Sequence, residues 1–255
     1  MKVAAKNFLP KAMVLCGDGI NCERETAAAF EIAGFDVTVT HVNQLIRSPE
    51  ILGSYKAMAL PGGFSFGDEL GSGHILAEKL RNAAAKDLAD FVRQGKPILG
   101  ICNGFQALVK LGLLPWSDGS RAGALAHNSS GQFINRWVDV EFPESVCIWT
   151  KGFDDPGNSP IQLPVRHGEG RFFAEDANSV LACLQDGKQI PIRYAEDFNG
   201  SLGQIAGLCD PTGVVFGLMP HPEAALADWL HPSRKAGSAR GLEIFKNARR
   251  YVDEI

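Results

Sequence analysis

Three groupings in the 255-residue chain have the residue types and spacing for chemistry, and they lie far apart in sequence. The first is Gly100-Ile101-Cys102-Asn103-Gly104, which follows a short apolar run and opens a stretch with helical spacing through Phe105, Leu108 and Leu111. Flanking glycines let the chain turn sharply, while a helix amino terminus favours a thiolate and aims backbone N–H groups at developing negative charge. A nucleophile set between glycines at a strand-to-helix elbow suits acyl transfer. The second grouping is His221-Pro222-Glu223, at the end of an apolar segment and with a proline on each side of the histidine. A thiol nucleophile needs a base, and the base needs an acceptor on its other ring nitrogen. Alternation across Pro222 would point both side chains the same way. The third is the loop Pro61-Gly62-Gly63-Phe64-Ser65-Phe66-Gly67-Asp68, where the N–H of the Gly63–Phe64 peptide is a candidate second oxyanion donor beside that of Asn103. A cysteine is most often a small buried hydrophobe, and the elbow is what sets Cys102 apart from the other five.

These groups must be positioned by regular elements. The first half of the chain alternates short aliphatic runs with longer helical patterns, the signature of βαβ units and a parallel sheet. Strands are expected at Ala12 to Cys16, Phe35 to Thr40, Tyr55 to Leu60 and Pro97 to Ile101. Asn21 is placed to cap a helix ended by Gly34, and Ile75 to Val92 carries apolar residues at helical spacing. Beyond Trp116 come extended segments at 132–142, 162–166, 189–194, 205–209 and 214–219, the last two joined by a turn at Asp210-Pro211-Thr212-Gly213. A terminal helix capped by Ser238 runs to Val252, and Asp154 to Pro160 reads as a surface loop. In an open parallel sheet, active groups gather beyond the carboxyl ends of strands, where the glycine loop, Cys102 and His221 all fall. The expected architecture is a three-layer α/β sandwich, a central mostly parallel sheet flanked by helices, in a single domain spanning 1–255.

Composition narrows the field. A net charge of -4 offers no field for nucleic acid or acidic lipid, and 45% hydrophobic residues suffice for a core. The early apolar run is too short for a secretory signal, and six scattered cysteines without a C-x-x-C fit reduced thiols in the cytoplasm. No histidine pair has metal-binding spacing, so no metal is expected, and no phosphate-binding loop or dinucleotide fingerprint is present. His41, His74 and His231 read as surface residues.

The chain resembles the class I (triad) glutamine amidotransferases, with their flavodoxin-like fold. The resemblance rests on the Cys102 elbow, the distant His221-x-Glu223, and the blocks Gly62 to Asp68, Asn103-Gly104-Phe105-Gln106 and His167-Gly168-Glu169-Gly170-Arg171-Phe172. The last three are similar to the glutaminase subunits of phosphoribosylformylglycinamidine synthases. The resemblance implies that Cys102 attacks the side-chain amide of L-glutamine, His221 is the acid/base and Glu223 orients it. Gly63, Phe64 and Asn103 would form the oxyanion hole, and Gln106, Asn128 and Ser129 would contact substrate. It implies no cofactor in this chain, with ATP and Mg held by a PurL-like synthetase partner that uses the ammonia for purine (IMP) synthesis, and a small PurS-like third subunit as a further component. Alternatives left open are a glutaminase subunit of another amidotransferase, a Cys-His peptidase or deglycase of similar fold, and a noncatalytic regulatory subunit.

Overall fold

The computed structural model describes residues 9–153 and 161–255, so the surface loop expected at 154–160 lies outside the described residues. The first half runs β1 (Lys11–Cys16), α1 (Glu23–Ile32), β2 (Asp36–His41), α2 (Val42–Arg47), β3 (Ala57–Leu60), α3 (His74–Arg93), β4 (Ile98–Ile101) and α4 (Asn103–Leu111). The second half runs β5 (Ala124–Ala126), β6 (Ile134–Glu141), β7 (Ile161–His167), β8 (Arg171–Phe173), α5 (Ala177–Asp186), β9 (Ile192–Tyr194), β10 (Ile205–Cys209), β11 (Val215–Leu218) and α6 (Gly241–Glu254).

Nine strands form one sheet in the order β2-β1-β3-β4-β11-β10-β9-β6-β7, and β5 pairs with β8 separately. Pairings from β2 through β11 are parallel, and those from β11 through β7 are antiparallel. Strands β3, β4 and β11 are buried along their whole length, as central strands covered on both faces must be. From β1 the chain crosses to β2 on one side, and from β3 it crosses to β4 on the other. With both crossovers right-handed, α1 and α3 fall on opposite faces. The reversal of winding between β1 and β3 opens a crevice at their carboxyl ends.

Packing closes the layers. Helix α6 buries Ile244, Phe245, Ala248 and Val252, and Phe245 meets Phe30 of α1 edge-to-face at 5.2 Å. Each such aromatic side chain, fully buried, contributes about 2 kcal/mol. The turn after β10 forms as its sequence dictates, with Gly213 at φ 74 and Asp210 Oδ1 accepting from Val215 N at 2.9 Å.

Three local expectations differ from the structure. The N-cap of α1 is Cys22 rather than Asn21, because the Asn21 and Cys22 N–H groups both donate to Gly62 O and draw the chain toward the β3 loop. Helix α6 starts at Gly241, not after Ser238, whose hydroxyl closes a turn onto Lys235 O at 2.6 Å. His231 is only 6% exposed, its ring edge-on to Trp137 at 4.6 Å. No helix among the described residues is long and apolar enough to cross a membrane.

Candidate active site

Four strands deliver the site. β1 leads to Asn21 and Cys22, β3 to Gly63 and Phe64, β4 to Cys102 and β11 to His221, and all of these line one pocket of about 160 Å³ with Phe133, Asn135 and Arg166. Cys102 sits at φ 50 and ψ -104, a conformation that L residues seldom adopt and that marks a strained strand-to-helix elbow. Its N–H donates to Leu218 O of β11 at 2.7 Å, and its carbonyl accepts from Gln106 N, so the elbow is tied to the sheet on one side and the helix on the other. Gly104 makes this possible: a Cβ there would lie 1.9 Å from Leu60 O, so only glycine lets α4 start directly against β3. The Cys102 thiol donates to Arg166 O at 3.7 Å.

His221 and Glu223 meet, though not by extended alternation. Pro222–Ala224 forms a short 3-10 turn, and His221 Nδ1 lies 2.6 Å from Glu223 Oε1. The His221 N–H donates to Pro164 O of β7, which fixes the turn to the antiparallel half of the sheet. Both side chains are buried, and His221 Nε2 and Glu223 Oε2 have no hydrogen-bond partner. Burial alone would strip the imidazole of its proton. The Glu223 carboxylate and the thiols of Cys102 and Cys22 outweigh it and raise the His221 pKa well above its usual value. A cation beside a sulfur is what a thiolate nucleophile requires.

One of the two N–H groups expected to serve an oxyanion is engaged elsewhere. Phe64 N donates to Gly19 O at 2.7 Å and is therefore engaged, which corrects the assignment of that N–H. Among the described residues no acceptor takes the N–H of Gly63, which lines the pocket. Asn103 N–H, in the first turn of α4, has no acceptor within its helix. The Asn103 side chain is structural: Oδ1 accepts from Ser65 N at 3.1 Å and Nδ2 donates to Asp68 Oδ1 at 2.9 Å.

The three residues expected to contact substrate lie outside the pocket lining. Gln106 donates its amide to Glu169 O and accepts from Asn103 Nδ2. Asn128 is buried, its Nδ2 donating to Gln132 O and His167 O and its Oδ1 accepting from Gly170 N. Ser129 is exposed and bonds Asn199 O through its N–H. Sequence reasoning missed Cys22, Asn135 and Arg166. The position of Cys22 just past β1 was the available signal, since Gly63, Phe64, Cys102 and His221 also follow strand ends, whereas Asn135 and Arg166 lie within β6 and β7.

Comparison with known proteins identifies the family. Residues 9–252 match the model of the CobB/CobQ-like glutamine amidotransferase domain. A relative from Methanococcus maripaludis, named phosphoribosylformylglycinamidine synthase subunit PurQ, is 39% identical and the alignment covers 96% of this chain and 98% of the relative. A protein of the same name from Dehalococcoides mccartyi is also 39% identical, with the same coverage. The solved structure of PurLQS from Thermotoga maritima contains a chain that superposes with a TM-score of 0.75 at 34% identity, covering 95% of this chain and 99% of that one. A second solved structure, a glutamine amidotransferase from the same organism, shares the fold at 13% identity and a TM-score of 0.57. Elbow, histidine–carboxylate pair and full-length similarity together lead to one conclusion: the chain belongs to the CobB/CobQ-like glutamine amidotransferase family.

Proposed function

We propose that this chain is the glutaminase subunit of a phosphoribosylformylglycinamidine synthase, a single glutaminase domain that works in the cytoplasm. The observation that carries the catalytic assignment is the His221–Glu223 contact at 2.6 Å, with the unpartnered Nε2 in the pocket that Cys102 lines. The similarity to proteins named PurQ supports the choice of pathway.

In this scheme the Cys102 sulfur attacks the carbonyl carbon of the glutamine side-chain amide. Asn103 N–H and Gly63 N–H stabilise the oxyanion, each such donor contributing roughly 3 to 4 kcal/mol. His221 gives its proton to the departing nitrogen, and ammonia leaves behind a thioester. His221 then takes a proton from water, which attacks the thioester to release glutamate and restore the thiol. Glu223 accepts a hydrogen bond from Nδ1–H and so keeps Nε2 as the working nitrogen. Arg166 offers a cation and Asn21 and Asn135 amides to the amino-acid end of glutamine. Ammonia passes to a PurL-like synthetase holding ATP and Mg, with a small PurS-like subunit in the assembly.

Cys102→Ala in the reconstituted complex tests this directly. Glutamine-dependent amidine formation is abolished while synthesis from added ammonia survives. Equal glutamine-dependent rates for variant and parent would overturn the assignment.

A further inference from the structure

The mechanism uses His221 and Glu223 but leaves the neighbouring thiol of Cys22 without a task. One donor atom from each of Cys22, His221 and Glu223 lies within 4.8 Å of the others, although the residues come from opposite ends of the chain. Donors at 2.0–2.3 Å around a tetrahedral zinc sit roughly 3.3 to 3.8 Å apart, so the widest side of the triangle closes by about an ångström while the Glu223 carboxylate gives up its 2.6 Å contact with His221 Nδ1. Two observations point to an occupant. His221 Nε2 and Glu223 Oε2 are buried with no partner, an unusual pairing of orphan atoms on adjacent side chains. The Cys22 thiol donates to its neighbour Asn21 Oδ1 at 3.3 Å, faces the His221 ring and is half-buried at the pocket wall, open to an incoming ion.

The donor set selects the ion. Thiolate, imidazole and carboxylate together suit zinc, whereas magnesium and calcium demand oxygen throughout. Three protein donors leave a fourth position for water or for the Cys102 sulfur, in the style of an open zinc site. We propose that Cys22, His221 and Glu223 form an inhibitory site for a zinc-class divalent cation, whose occupancy takes His221 away from Cys102. Cys22 enters as thiolate and His221 as neutral imidazole, and the displaced protons leave to solvent. The inhibitory effect rests on the glutaminase assignment, whereas the site itself is tested separately, because binding is measured without glutamine.

The test uses the whole chain, reduced and stripped of metal, titrated with Zn²⁺ against a chromophoric chelator and with Co²⁺ as an optical probe. One ion binds per chain and cobalt shows a thiolate charge-transfer band. Cys22→Ala and Glu223→Gln each weaken binding at least tenfold, while Cys183→Ala, at an exposed thiol of α5, leaves it unchanged. In the unaltered chain Zn²⁺ slows alkylation of Cys22 at least tenfold, a readout that needs no variant to fold. Parent-level affinity in Cys22→Ala, a cobalt spectrum without thiolate, or unprotected alkylation each overturns the site. Zn²⁺ also suppresses glutamine hydrolysis, restored by chelator. If the chain hydrolyses no glutamine at all, the binding results still decide the question.

Discussion

His221 and His167 are both about 2% exposed, and their proton affinities move in opposite directions. His167 sits in a closed neutral network. Asn128 donates both amide protons to carbonyls, so its Oδ1 must accept from His167 Nδ1 at 3.1 Å, and Nε2 is left to accept from the Tyr194 hydroxyl at 3.5 Å. Burial, with the charge of His221 adding to it, pushes the His167 pKa down to about 4. Tyr194 is pushed up, by burial and then by the charge of Cys102, so its phenol keeps its proton. His221 has a carboxylate where His167 has an amide. A carboxylate partner, aided by two thiols, keeps one buried histidine charged where an amide partner leaves the other neutral.

Substitution at His221 has the largest effect. His221→Asn lowers glutamine hydrolysis by about 10³-fold or more with little loss of thermal stability, measured as ammonia release and calorimetric Tm. A variant within tenfold of the parent breaks the comparison. Glu223→Gln comes next, at about 10²-fold. The loss of its negative charge lowers the His221 pKa, so the limb of the pH–rate profile that reports His221 moves toward acid. An unmoved limb places the imidazolium's stabilisation elsewhere.

The third outcome concerns His167 and stability. Its folded pKa of about 4 lies below the ordinary 6.5 of the unfolded chain, so between those values only the unfolded state takes the proton. Stability therefore falls as pH drops through that window, by on the order of 3 kcal/mol. Urea unfolding at a series of pH values measures it, and His167→Gln flattens this component. His221 contributes with the opposite sign: its raised pKa adds stability that is full below the unfolded value and declines as pH rises through the folded one. The smallest effect sharpens the contrast. Asn128→Asp places a carboxylate beside His167, and the acid-side loss shrinks by on the order of 1 kcal/mol relative to the parent. An unaltered pH slope in that variant removes the partner as the cause.

The elbow, the histidine–carboxylate pair and the parallel strands were legible because each is a local pattern: glycine spacing, proline bracketing and runs of aliphatic residues. The hydrogen bonds of Gln106 and Asn128 were not legible, because the same amides that can hold glutamine also satisfy buried backbone groups, and only folding shows these contacts. Cys22 and Arg166 became pocket walls through strand order, a nonlocal property that brings β1 beside β3 and carries β7 near the turn after β11. The exchange of Phe64 for Gly63 as the free donor was beyond the sequence for a further reason. Which of two successive amides is engaged depends on the bridge between Ile20 and Gly63, formed by a loop more than forty residues away.

That bridge has a mechanical consequence. Gly62 O accepts from Asn21 and Cys22, Phe64 N from this loop reaches Gly19 O, and Phe66 N reaches Asp18 O, so two surface connections are stitched into one sheet-like patch. On it rides the Phe64 ring, 48% exposed and 6.4 Å from that of Phe133. The ring is a lever whose fulcrum is the backbone carrying Gly63, and a force applied to it from outside is delivered to the cavity floor without any slack to absorb it.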